Sequence, residues 1–150
     1  MIRFAPSFAA LPLAGLLLAS CQTEPGETSP LPGGGSSDVW AGIGADEALH
    51  VLGTEPFWGG EAKGGSLSWE TPENPAGQTI AVTRFAGRGG LGLSGTLGGA
   101  PFELAASEAE CSDGMSDRTY PFTVTVQANG QTLRGCGWSD ARRFIGSEAP

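Results

Sequence analysis

The stretch YPFTVTVQA-NG-QTLRGCGW, Tyr120 to Trp138, decides how this chain is read. Asn129-Gly130 supplies the two positive φ angles of a type I′ turn, whose twist matches that of the strands it joins. On the Tyr120–Ala128 side, Phe122, Val124 and Val126 alternate with Thr123, Thr125 and Gln127, the two-residue period of a half-buried strand. Counting outward from the turn pairs Ala128 with Gln131, Val126 with Leu133, Val124 with Gly135 and Thr123 with Cys136. Phe122, Val124, Val126 and Leu133 then share the core face, and Thr123, Thr125, Arg134 and Cys136 the other. Cys136 is expected to point outward unless a bulge intervenes.

The same punctuation recurs upstream. Short β-favouring runs separated by Gly, Asn, Asp and Pro give further strands at Leu49–Gly53, Phe57–Ala62, Ser66–Glu70, Thr79–Phe85, Leu91–Leu97 and Phe102–Ser107. The expected fold is all-β, a small antiparallel barrel or barrel-like sandwich of about eight strands with one disulfide. Its domain should run over residues 38–150. Gly (25) and Pro (11) in 150 residues agree with many turns and no long helix. Gly87 to Gly92 matches G-x-G-x-x-G, but Leu91, Leu93 and Leu97 continue it as a strand, so no helix N-terminus follows to hold a pyrophosphate.

Ahead of the domain, Arg3 precedes an apolar run, Phe4 to Ser20, broken by Pro6 and Pro12. It is short for a membrane span and reads as a signal peptide over residues 1–20. Leu18-Ala19-Ser20-Cys21 resembles the bacterial lipobox, which makes Cys21 the expected lipidation site and the membrane the first expected partner. Gln22 after the cysteine, by the same resemblance, points to the outer membrane, facing the periplasm. Residues 22–37 read QTEPGETSPLPGGGSS and are expected to be a disordered tether of roughly 20 Å reach.

Lys and Arg total 8 against 16 Asp and Glu, a formal charge of −8, and loss of Arg3 with the signal makes the mature chain more acidic. Such a surface repels phosphate backbones, so no nucleic acid is expected, and it attracts a basic envelope or host protein. With Cys21 assigned to lipid, Cys111 and Cys136 form an even pair in an oxidising compartment and read as a disulfide. A thiolate metal site with His50 and a reactive thiol are the competing readings. No cofactor and no metal are expected.

His50 is the single histidine, and neither G-x-S-x-G nor H-E-x-x-H occurs. An enzyme would have to be built on carboxylates drawn from Glu55, Glu61, Glu70, Asp113 and Asp117, and the expectation is no catalysis. Asp113 and Asp117 are oxygen donors without the spacing of an EF-hand, and turn formation accounts for them. In Gly53-Thr54-Glu55-Pro56-Phe57-Trp58, either an aromatic plugs the barrel end, or Glu55 and Trp58 belong to a recognition surface.

That segment, together with Cys111-Ser112-Asp113-Gly114-Met115-Ser116-Asp117-Arg118 and Gly135-Cys136-Gly137, resembles a family of bacterial envelope lipoproteins. The family carries G-x-E-P-x-W, C-x-D-x-M-S and a closing G-C-G, and the resemblance covers Leu49 to Trp138. Members of that family occur beside domains similar to the membrane-bound inhibitors of C-type lysozyme, which are small disulfide-bearing β-barrels. The resemblance implies the Cys111–Cys136 bond and marks Glu55, Trp58, Asp113, Met115 and Ser116. The expected function is a non-enzymatic binding or structural module of the envelope, with inhibition of a C-type lysozyme or related muramidase as the alternative. The expected surface is Glu55, Phe57, Trp58, Asp113, Met115, Ser116, Asp117 and Arg118.

Overall fold

Asn129 and Gly130 have φ angles of 51° and 75°, and the strands on either side of them pair in the register that this turn dictates. The computed structural model describes residues 40–147, so the signal peptide, Cys21 and the tether lie outside the described residues. Eight strands follow one another: β1 (Leu49–Thr54), β2 (Phe57–Lys63), β3 (Ser66–Thr71), β4 (Asn74–Ala86), β5 (Gly90–Leu97), β6 (Ala100–Ser112), β7 (Thr119–Ala128) and β8 (Gln131–Ser139). Each pairs antiparallel with the next, and β1 pairs with β8 to close a barrel. Closure, rather than two facing sheets, is the outcome between the two expected architectures.

Two strands are longer than the sequence pattern predicts. β4 begins at Asn74, because Pro75 and Gly77 sit in a protruding β3–β4 hairpin whose register shifts between Trp69 and Thr71. β6 runs to Ser112 through a polar stretch, with a register shift against β7 between Glu108 and Cys111. Neither extension faces the core, so neither leaves an apolar alternation to read.

An eight-stranded barrel is just wide enough for side chains to fill it. Leu49, Val51, Leu67, Phe102, Phe122 and Val126 are among the inward residues with almost no exposure. Leu133, expected on this face, is partly buried against the same cluster. At the end bearing the β1–β2, β3–β4, β5–β6 and β7–β8 turns, Trp58 stacks on Trp69, which meets Phe102 edge-on. Gly53 and Gly135 are what admit the Trp58 indole, since a Cβ at either position would collide with it. At the opposite end Trp40 packs edge-on against Phe122, and Arg142 lies over the same ring at 4.9 Å while bonding Glu108 at 2.8 Å.

Candidate functional site

The β1–β2 turn is Glu55-Pro56, so Thr54 and Phe57 face each other across it and point outward, while Trp58 turns in. The β6–β7 loop should by topology lie at the other end of the barrel. Instead it folds back along the outer wall, and Thr54 Oγ1 donates to the Asp113 carbonyl at 3.0 Å. The Cys111–Cys136 disulfide, with Cα atoms 5.5 Å apart, clamps this fold-back to β8. Cys136 alternates with inward Gly135 and Gly137 and so keeps the outward face, yet it is only 1% exposed because the loop covers it. The covering is what the sequence pattern could not show.

Asp113 organises the loop. Its Oδ1 accepts from the Met115 and Ser116 amides at 2.9 and 2.8 Å, and its Oδ2 from Ser116 Oγ and Tyr120 Oη at 2.8 and 3.0 Å. Partial burial works against the charged carboxylate, but these four bonds outweigh it and push the pKa down to about 2. Burial raises the Tyr120 phenol, so it stays a donor. Outside the barrel wall, Tyr120, Trp138 and Phe144 form a second aromatic cluster. Arg118 lies 4.5 Å over the Phe144 ring, and His50 stacks on Trp138 between Glu61 and Asp140.

Between the folded-back loop and the β3–β4 hairpin lies a groove of about 580 Å³. Leu52, Phe57, Pro72, Pro75, Met115 and Tyr120 supply its apolar lining, and Glu70 and Arg118 its charged edges. Phe57 is 54% exposed and Met115 60%, a large apolar area for side chains on a strand and a loop held this firmly.

The two predicted segments therefore meet. Phe57, Asp113, Met115, Ser116 and Arg118 border the groove directly. Glu55 is exposed at the turn and opens on an adjoining notch. Trp58 also borders the groove but is 5% exposed, and its ring serves as the barrel plug. Asp117 is exposed and not among the groove's lining residues; its carbonyl lies against Gly146 of the C-terminal tail. Sequence reasoning missed Leu52, Pro72, Pro75 and Tyr120. Two prolines spaced three apart were the available signal for a rigid protruding hairpin.

No family model, curated protein or solved structure matches this chain. The groove must be read from its own chemistry. Among the described residues no group of three or more His, Cys, Asp or Glu is placed to hold a metal ion. Among the described residues no thiolate ligand is on offer, since Cys111 and Cys136 are bonded to each other.

Proposed function

We propose that this chain is a lipid-anchored module of the bacterial cell envelope that binds a partner without catalysing a reaction, and that the groove beside Phe57 and Met115 is its binding surface. The observation that carries the reading is a pair of well-exposed apolar side chains on a frame clamped by a disulfide and the Asp113 network. A preformed apolar recess with few polar groups at its edge is the usual form of a recognition site. Asp113, the best-held carboxylate there, is ionised at neutral pH with both oxygens engaged, which suits shaping a loop rather than passing protons. The lipobox at Cys21 and the resemblance to envelope lipoproteins support the location.

Crosslinking followed by pull-down of the lipidated protein from its own envelope tests this. Phe57→Ser and Met115→Ser should each lose the captured partner while the domain stays folded, and undiminished capture by both would end the proposal. Loss of lipid labelling in Cys21→Ser checks the anchor.

A second reading, inhibition of a muramidase, draws on the net charge of −8 and on exposed Glu55 and Asp117 near the groove, which would complement a basic enzyme. Titrating the oxidised protein into a lysozyme assay decides it, and unaltered lysis at micromolar protein counts against it.

A further inference from the structure

The seam between β1 and β8 is shorter than the strands that form it. Leu49 to Leu52 pair with Ser139 to Cys136, but β8 continues to Gln131 and along that length has only β7 beside it. Successive residues of an antiparallel ladder send their N–H and C=O groups to opposite sides. The two-residue Asn129-Gly130 turn makes Ala128 and Gln131 a hydrogen-bonded pair, so Gln131, Leu133 and Gly135 face β7. Thr132 and Arg134 therefore direct their backbone groups the other way, where β1 has no residue paired with them. Thr54, which would continue that register to Arg134, is the last residue of β1, and its hydroxyl donates to the Asp113 carbonyl.

The space left is a notch of about 1090 Å³. Thr132 and Arg134 form one wall, Thr54, Glu55 and Phe57 the other, and the loop through Asp113 and Met115 closes its base. Phe57 and Met115 belong both to this notch and to the groove, so the two recesses meet at those side chains.

We propose that the notch is a strand-addition site for an extended peptide segment of a partner protein, which pairs through its main chain with Thr132 and Arg134 and seats one apolar side chain against Phe57 and Met115. A row of backbone donors and acceptors at strand spacing is matched by another extended backbone and by little else. Met115, unbranched and polarisable, adapts to more than one apolar residue. Glu55 at the rim and the acidity of the chain favour a Lys or Arg flanking that residue. This inference rests on the binding-module reading and adds to it the chemistry of the partner.

The probe is a phage-displayed library of random heptapeptides selected on the full-length oxidised chain in detergent micelles. Selected peptides, made synthetically, are then N-methylated one residue at a time. Strand addition predicts that methylation at one parity weakens binding about tenfold or more, the effect of losing a backbone hydrogen bond, while the other parity is tolerated. It also predicts slowed amide exchange at Thr132 and Arg134 in the complex. Thr132→Pro, which removes an N–H outside the β7 ladder, should weaken binding similarly without altering the β7–β8 register. The N-methyl series needs no variant of the protein and decides the matter if that one misfolds.

Binding that depends on Phe57 but ignores N-methylation overturns strand addition and leaves the groove reading standing. Failure to select any peptide overturns it as well. Protection of Thr132 and Arg134 by self-association alone makes a second copy the occupant and rejects a partner peptide. Envelope capture that survives both Phe57→Ser and Met115→Ser brings down the underlying reading instead.

Discussion

Asp113 concentrates more of the loop's order in one side chain than any residue around it. Replacing it with Ala removes the acceptor for two amides and two hydroxyls, one of them on Tyr120, which is 1% exposed. The expected cost is about 2–3 kcal/mol, most of it from donors left unpaired, seen as a lower urea midpoint at unchanged m-value. The pH dependence follows from the direction of the shift. A carboxylate whose pKa is lower folded than unfolded stabilises the fold above its unfolded pKa and loses that contribution as pH falls through the folded one. For Asp113 the loss runs from about pH 4 to about pH 2. Glu47, held down chiefly by Ser139 and further by the Gly44 and Ala141 amides, acts in the same direction. Melting temperature should fall across that window in the native protein and fall less in Asp113→Asn, and parallel slopes would remove Asp113 from the account. Asp113 was visible in the sequence as a turn former; the convergence of four donors on it was not, because Tyr120 lies seven residues on, in β7, and no turn pattern links it to Asp113.

At the scale of strands and turns, two devices hold the groove in place. The first is the slot for Trp58: Gly135→Ala would force a methyl against the indole and the Leu52 carbonyl, and overpacking of this kind costs about 1–3 kcal/mol. Tryptophan fluorescence should shift with the melting curve, whereas Gly130→Ala would act on the turn and leave the Trp58 environment unchanged. The second is the disulfide, closing 25 residues, which on the chain-entropy model contributes about 3.5 kcal/mol. Cys111→Ser with Cys136→Ser should free the loop, raise amide exchange at Met115 and Ser116, and leave the β7–β8 register intact. All eight strands were legible in the sequence because each buries one face, and a two-residue period marks it. The pairs Thr123 with Cys136 and Val124 with Gly135 followed from the Asn129-Gly130 turn alone. The reach of β6 to Ser112 and the start of β4 at Asn74 were not legible, since both extensions are solvated on most of their surface and carry no pattern.

Taken whole, the barrel has one continuous core contributed by every strand, so it should unfold as a unit. Far-UV and near-UV signals are expected to give coincident transitions in the oxidised protein, and separate midpoints would show the outer aromatic cluster of Tyr120, Trp138 and Phe144 melting on its own. The barrel also explains why the two segments of the site were legible in the sequence while the route that joins them, and the Leu52, Pro72, Pro75 and Tyr120 lining, was not. Glu55–Trp58 and Asp113–Arg118 belong to turns at opposite ends of the topology, and only a loop folded back along the wall brings them together. Nothing in local spacing encodes that journey; the outward placement of Cys136 was its one trace.

The two ends of the barrel are unlike, and this matters for anyone handling the protein. The described chain enters at Trp40, whose amide bonds the Gly87 carbonyl at the end closed by Arg142 and Glu108. Phe57, Met115 and the bare edge of β8 lie towards the other end. A surface or bead coupled at Trp40 itself therefore leaves the recess open to whatever flows past, whereas a label inserted at Asn129-Gly130 would stand at the recess's own end of the barrel.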